Sequence, residues 1–178
     1  MANRSLTQPW TPTSMLWYLS DRCDPEAMSI ADRHYNRQKP GTPSFTPPGR
    51  VLVLKIESKA VWATSYPYSQ YVRHAWAGAL ICSLFRNESE YLSSLLIRQA
   101  LAATRWKYPE LPALGMVTFI NVAKVRKKRD PGRCFRKAGF KFVGYPRGGL
   151  VALQIFPDEF PDAQPPIRLS LQERLDRL

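Results

Sequence analysis

Residues 75–103 read AWAGALICSLFRNESEYLSSLLIRQALAA, and this stretch decides the fold class. Its first part, from Ala75 to Phe85, is apolar enough for a central strand that is buried on both faces. Asn87 and Glu90 have the spacing of a capping box, which predicts that a long helix begins there and ends before Pro109. The predicted buried stripe of this helix consists of Leu92, Leu95, Leu96, Ala100 and Ala103.

The segments on either side predict further strands and helices. A strand is expected at Met15–Leu19, and Asp24-Pro25-Glu26 is typical of a helix start, with the helix ending near Arg37 before a stiff proline-rich loop over residues 38–50. The remaining predicted elements are strands at Val51–Ile56, Ala60–Ser65, Leu114–Ile120, Phe140–Gly144 and Leu150–Phe156, and a short helix from Asp130-Pro131 to Gly139.

This order of elements predicts an α/β (α+β) fold in which helices flank a single mixed central sheet. We expect one domain over residues 1–178, with an irregular segment at 1–14 and a helical tail at 167–178. The leucine spacing of the tail suits either packing onto the domain or a homodimer contact.

Composition points to a polyanionic partner. The formal net charge is +12 and the sequence pI is about 10.0, and many Lys and Arg contacts bind phosphates by releasing counterions. No apolar run of membrane-spanning length is present. The three cysteines are widely spaced, which favours reduced thiols in a cytoplasm over a disulfide framework.

Basic residues cluster between Lys124 and Arg147, where Asp130 is the only acid. Glycine, proline and aromatic residues interrupt this cluster, which favours a shaped nucleic-acid surface over a solvated charged face. The predicted DNA contacts are Arg37, Lys127, Lys128, Arg129, Arg133 and Arg136.

Two segments supply candidate chemistry. Asp130 lies in a cationic block, so it either caps the helix that begins at Pro131 or acts as a general base or hydrogen-bonding group for an exocyclic amine. His34 lies beside Tyr35 and before the proline-rich loop; it either has a structural role, moves a proton or binds a metal.

The junction between the central strand and the long helix is a third candidate. Arg86, Asn87, Glu88 and Ser89 lie where α/β folds often bind a cofactor phosphate through free amides. The junction has no glycine, and its acids oppose an anion unless they serve only the helix dipole. Motifs of serine hydrolases, P-loop NTPases, HExxH metalloproteases and zinc deaminases are absent.

Three segments together resemble a known family. ADRHYNRQKPGTPSFTPP at 31–48, FRNE at 85–88 and TFINVAKVRKKRDPGRCFRKAGFKFVG at 118–144 are similar to the Mom family of bacteriophage DNA-modification proteins. The most specific string is RDPGRCF followed by AGF. The resemblance covers most of residues 28–145.

The resemblance implies a GNAT-like acetyltransferase fold and an enzyme that converts adenine in double-stranded DNA to an N6-carbamoylmethyl derivative, which protects phage DNA from host restriction. His34 and Tyr35 then match an active-site pair, and Asp130 matches an acidic position near the chemistry. Iron is associated with the family, which would make His34 a metal ligand.

One departure concerns the donor. GNAT enzymes carry a Gly-rich pyrophosphate loop where this chain has Arg86 to Tyr91. The donor is therefore either acetyl-CoA or another activated acyl or aminoacyl species. Two other functions remain open, namely a non-catalytic DNA-binding protein on an acyltransferase fold and an acyltransferase that acts on RNA or protein.

Overall fold

The computed structural model describes residues 14–125, 130–170 and 172–173. Within them, seven strands form one mixed sheet that is flanked by three α-helices. The elements are β1 (Tyr18–Ser20), α1 (Pro25–Asp32), β2 (Arg50–Ile56), β3 (Ala60–Tyr66), β4 (Leu80–Asn87), α2 (Ser93–Lys107), β5 (Met116–Asn121), α3 (Arg133–Lys137), β6 (Lys141–Gly144) and β7 (Leu150–Ile155).

The strands lie in the order β1-β2-β3-β4-β5-β7-β6. Neighbouring strands are antiparallel except β4 and β5, which are parallel and are joined by α2 as a crossover. The predicted fold class is confirmed, and the arrangement is GNAT-like.

Helices cover both faces of the sheet. On one face, α2 and α3 pack over the main core, where the fully buried Trp62 lies among Leu96, Leu101 and Phe135. On the other face, α1 buries a smaller cluster through Ala27, Ile30 and Ala31. The two faces of the sheet thus carry separate clusters, a large one under α2 and α3 and a small one under α1.

The start of α1 was predicted correctly, and its end was not. Asp24 Oδ1 accepts hydrogen bonds from the backbone N–H groups of Glu26 at 2.9 Å and Ala27 at 3.4 Å, which satisfies the first turn. The helix ends at Asp32 and not near Arg37. The Asp32 carboxylate binds the side chain of Arg37 and the backbone N–H of Gly41, so the chain turns back over the helix end.

The predicted central strand and capping box need correction. β4 begins at Leu80, because residues 75–79 belong to the loop before it, and its burial alternates instead of being complete on both faces. β4 then continues through Asn87, so α2 begins only at Ser93, with Leu92 as an N-cap that makes no side-chain bond. Leu92 is 74% exposed and does not belong to the buried stripe.

The ends of the chain are described in part. The predicted irregular segment at 1–14 lies outside the described residues except for Ser14. The predicted helical tail at 167–178 is wrong at its start, because residues 167–170 are not helical and Ile167 pairs with Tyr18 of β1. Gln172 and Glu173 are helical, and the rest of the tail lies outside the described residues. None of the described helices is long and apolar enough to cross a membrane. The three cysteines are free thiols.

Candidate functional site

β4 and β5 separate soon after they begin to pair. Their parallel register covers only Leu80 with Met116 and Ile81 with Val117. A bulge in β4 at Ser83 changes the side-chain alternation, so that Cys82 faces the α2 side, Leu84 the α1 side and Phe85 the α2 side again. Beyond this short parallel pairing, a cavity lies between the two strands.

We call this cavity the central pocket. Its volume is about 390 Å³, which lies toward the small end of the range for ligand sites. Its walls come from the turn after α1, from β4, from β5 and from the N-terminus of α3. The residues that line it include His34, Tyr35, Cys82, Arg86, Asn87, Thr118, Phe119, Gly132 and Cys134.

His34 and Tyr35 lie together at the mouth of the central pocket. Their rings stack with centroids 4.4 Å apart. The backbone N–H of Asn36 donates to His34 Nδ1 at 3.2 Å, so the neutral imidazole carries its proton on Nε2. In this tautomer Nε2 donates a hydrogen bond and does not accept a proton.

The phenol of Tyr35 is half-buried against the end of β5. Burial raises the pKa of Tyr35, partly opposed by a backbone hydrogen bond from Asn121. The phenol is therefore protonated at neutral pH and can donate a hydrogen bond. Lys124 Nζ donates to the carbonyl oxygen of Tyr35 at 3.4 Å, which ties the α1 turn to the segment after β5.

The predicted cofactor junction is divided by the structure. Arg86 and Asn87 line the central pocket, and Glu88 and Ser89 do not. Asn87 holds the turn together: its Oδ1 accepts from the Ser89 backbone N–H at 2.9 Å, and its Nδ2 donates to the Tyr91 carbonyl at 2.8 Å. The Tyr91 N–H in turn binds Ser89 Oγ at 3.3 Å.

These bonds affect whether the junction can bind a cofactor phosphate. The N–H groups of Ser89 and Tyr91 are the kind of donors that would cradle a pyrophosphate, and side chains of the turn already bind both. A glycine-rich loop leaves such donors open to a ligand. The turn after β4 therefore lies where a phosphate-binding loop is expected, but two of the backbone amides that such a loop offers to a ligand are already occupied.

Glu88 is less of an obstacle to an anion than its charge alone implies. Its carboxylate binds Arg33 at 2.8 Å and Arg86 at 2.5 Å. The Arg33 guanidinium and then that of Arg86 lower the pKa of Glu88 to about 2. This triad joins the end of α1 to the end of β4 and carries a net positive charge beside the central pocket.

Asp130 lies outside the pocket lining, although the next two residues, Pro131 and Gly132, belong to it. Its carboxylate is half-exposed and forms an ion pair with Arg136. The predicted cap is wrong, because the N-cap of α3 is Gly132 and no side chain caps that helix. Asp130 contributes its carbonyl oxygen, which accepts from the Arg133 N–H at 3.2 Å.

The predicted DNA contacts fall into three groups. Arg133 and Arg136 are exposed on α3 beside the pocket. Lys127, Lys128 and Arg129 lie outside the described residues. The Arg37 side chain is only 3% exposed, because it binds Asp32 and the carbonyl of Thr42, so we assign it to the structure of the loop and not to a DNA surface.

The described residues do not fit an iron site. Within 14–125, 130–170 and 172–173, no group of three His, Cys, Asp or Glu side chains is placed to hold a metal. The Asn36 bond to Nδ1 also places the proton of neutral His34 on Nε2, the nitrogen that would have to ligate. Cys82, which lines the same pocket, is also not suited to act as a nucleophile, because burial raises the pKa of its thiol and so disfavours the reactive thiolate.

Sequence reasoning missed the inner wall of the central pocket. Cys82 was assigned only to a buried strand, and Thr118 was given no role beyond a strand and the first position of the third resemblance segment. In the structure, Thr118 Oγ1 donates to the Cys82 carbonyl at 3.3 Å across the gap between β4 and β5. The extra residue of a bulge has no distinct signal in an apolar strand, so the pattern could not reveal it.

Comparison of the chain with protein-family models, with curated proteins and with solved structures gave no match.

Proposed function

We propose that this protein is a transferase that modifies the N6 amine of adenine in double-stranded DNA, with a carbamoylmethyl group as the product expected from the Mom-family resemblance. One observation carries the proposal. The three segments on which the resemblance rests are far apart in the chain, and each contributes to the wall of the central pocket: His34 and Tyr35 from the first, Arg86 from the second, and Thr118 and Gly132 from the third.

In this proposal, the central pocket receives one adenine that has left the base stack. Unstacking costs a few kcal/mol and is the general solution for enzymes that act on a base atom within a duplex. The Tyr35 hydroxyl and the His34 Nε2–H are hydrogen-bond donors at the pocket. Adenine ring nitrogens are acceptors, so the pair would hold the base by its ring and leave the N6 amine for the donor.

The donor is proposed to lie beside the Arg33–Glu88–Arg86 triad, whose net positive charge suits an anionic leaving group. The transfer forms a bond from adenine N6 to a donor carbon, breaks the bond from that carbon to the anionic leaving group, and releases one N6 proton to solvent. An acyl or aminoacyl donor gives an N6-acyl adenine first, and a glycyl adduct, which is an isomer of the carbamoylmethyl adduct, must rearrange to yield it. Acetyl-CoA is the weaker of the two donor classes, because side chains already bind two amides of the turn after β4. An activated acyl or aminoacyl species with a smaller anionic group fits this turn better.

The cationic surface supports DNA as the substrate. Arg133 and Arg136 are exposed beside the pocket, and the whole chain carries a net charge of +12. Basic side chains around such a pocket would hold the DNA backbone while the base is read inside it. The proposed setting is the cytoplasm of a host cell during phage infection.

One alternative is favoured by a specific observation. The occupied amides of the turn after β4 also suit a DNA-binding protein that keeps the fold and has lost the transfer reaction. Such a protein would bind DNA and leave it chemically unchanged. An acyltransferase acting on RNA would bind tRNA in preference to duplex DNA.

Mass spectrometry of plasmid DNA separates these functions. DNA from cells that express the protein is digested to nucleosides and compared with DNA from cells that carry the empty vector. A new deoxyadenosine species whose added mass equals one carbamoylmethyl group supports the proposal. Unmodified adenine in the presence of folded protein, with duplex binding retained, supports the binding-only alternative.

A further inference from the structure

A second cavity lies next to the central pocket, between the β3–β4 loop and the β6–β7 hairpin. Its volume is about 660 Å³. We call it the aromatic groove and define it by the side chains Arg73, His74, Trp76, Phe119, Tyr145 and Arg147. Phe119 also lines the central pocket, so the two cavities share this residue.

The aromatic rings of the groove are held in place. Trp76 Nε1 donates to Gln154 Oε1 at 3.1 Å, and buried Gln154 is itself fixed by a bond from its Nε2 to the Leu114 carbonyl at 2.7 Å. His74 packs on Phe119 with centroids 4.9 Å apart. Tyr145 is 77% exposed and packs edge-on against Phe142 at 5.0 Å.

The charge of the groove is one-sided. Of the nine described residues that line it, two are arginines and none is Asp or Glu. Two guanidinium groups at the groove do not favour an apolar partner surface. Aromatic rings flanked by cations are the combination that binds unpaired nucleotides, because the rings stack on bases and the cations contact phosphates.

We propose that the aromatic groove binds a nucleotide of the same DNA strand next to the adenine that enters the central pocket. This inference rests on the proposed DNA-directed function. Tyr145 provides the exposed ring on which the base stacks, and Arg73 and Arg147 contact the flanking phosphates. Because the two cavities share Phe119, we place neighbouring nucleotides of one strand in the central pocket and in the groove.

The state of His74 agrees with this role. Burial lowers the pKa of His74, so the ring is neutral at physiological pH. Its Nδ1 accepts from the Trp76 backbone N–H at 3.1 Å, which fixes the orientation of the ring. A neutral, oriented ring forms part of a stacking surface and adds no charge that would depend on pH near neutrality.

The test is DNA affinity by fluorescence anisotropy, with a labelled duplex that carries one unpaired nucleotide beside an adenine and with the matched perfect duplex. Tyr145→Ala removes the exposed ring, Tyr145→Phe keeps it, and Tyr71→Ala removes a 72% exposed tyrosine that does not line the groove. Melting temperatures are measured for each variant to confirm folding.

We expect Tyr145→Ala to lose about tenfold in affinity for the duplex with the unpaired nucleotide, the scale of one base–aromatic stack. Tyr145→Phe should restore that affinity, and Tyr71→Ala should match the wild type. Smaller losses are expected on the perfect duplex, because its bases remain stacked on one another.

Salt dependence tests the arginines separately. The double variant Arg73→Ala, Arg147→Ala should reduce the slope of the logarithm of the DNA association constant against the logarithm of the salt concentration. The expected reduction is about 1.8, or about 0.9 for each lost phosphate contact. The matched control is Lys59→Ala combined with Lys107→Ala, which removes the same charge from exposed positions that line neither cavity. The control should change the slope by much less.

The outcomes separate the two proposals. If the wild type binds and modifies DNA, and the groove variants match their controls in affinity and slope, the groove inference is wrong and the proposed function stands. If the folded wild type neither binds duplex DNA nor alters adenine, both fail. If the groove variants alone lose affinity and slope, the groove is a nucleotide-binding site.

Discussion

Replacing Gly132 with alanine should destabilise the protein, because this glycine brings the start of α3 against β5. Gly132 has a φ of +79°, in the left-handed region. A Cβ atom on Gly132 would lie 2.5 Å from Ile120 Cδ1 and 3.1 Å from Leu153 Cδ1. Both atoms are terminal methyl groups of the buried side chains Ile120 and Leu153, which have to shift against their packed neighbours to make room.

The expected loss has two parts. A left-handed conformation costs a residue with a Cβ about 1–2 kcal/mol, and forcing an extra methyl group into a packed interior costs about 1–3 kcal/mol. The Gly132→Ala variant should therefore lose about 2–5 kcal/mol of the free energy of unfolding. The same change should also narrow the central pocket, of which Gly132 forms part of the wall.

Gly41→Ala is a matched control for this experiment. Gly41 has a similar φ of +73°, and a Cβ there would meet no atom within 4 Å. Urea denaturation of both variants should give a loss of about 1–2 kcal/mol for Gly41→Ala and a further loss of about 1–3 kcal/mol for Gly132→Ala. Equal losses would refute the argument from close packing, since only conformational strain would then be at work.

Three further predictions concern charged side chains. Glu88→Gln removes a carboxylate whose pKa is lowered to about 2, mainly by Arg33. The wild type should be more stable than this variant above about pH 4.5, and the difference should disappear as the pH falls toward 2. Urea denaturation across that pH range measures the difference. A constant difference down to pH 2 would contradict the assigned ion pairs. Arg133→Ala should lower the salt slope of DNA binding by about 0.9, whereas Arg37→Ala should leave the slope unchanged and instead cost about 1.5–3 kcal/mol of stability through its lost hydrogen bonds. A reduced slope for Arg37→Ala would show that the loop opens to release this side chain onto DNA.

Local signals in the sequence predicted the parts of the fold that depend on local physics. Asp24 caps α1 as expected, because the cap needs only the two amides that follow it. The buried side of α2 was correct for Leu96, Ala100 and Ala103. The fold class follows from the order of such elements and did not depend on their boundaries.

The errors arose where a distant contact decides the outcome. Asn87 and Glu90 have capping-box spacing, yet β3 pairs with β4 as far as Ala60 and Asn87 and so keeps Asn87 in the strand. Arg37 was predicted to contact DNA, but its side chain is buried and forms an ion pair with the Asp32 carboxylate. Neither partner is visible in a local pattern.

The candidate site was predicted in part. His34, Tyr35, Arg86 and Asn87 were singled out from separate segments, and all four line one cavity. Asp130 was predicted to join them and lies outside that lining, since Arg136 holds its carboxylate.

We propose that the central pocket carries out the modification of adenine in DNA. The most direct test measures the mass of the deoxyadenosines in plasmid DNA by mass spectrometry. The DNA comes from cells that express equal amounts of soluble wild type, His34→Ala, Tyr35→Phe or the control Tyr71→Ala. We predict a heavier deoxyadenosine for the wild type and for Tyr71→Ala, and its loss or strong reduction for His34→Ala and Tyr35→Phe. Unmodified DNA from the wild type, or full modification by both pocket variants, would contradict the claim.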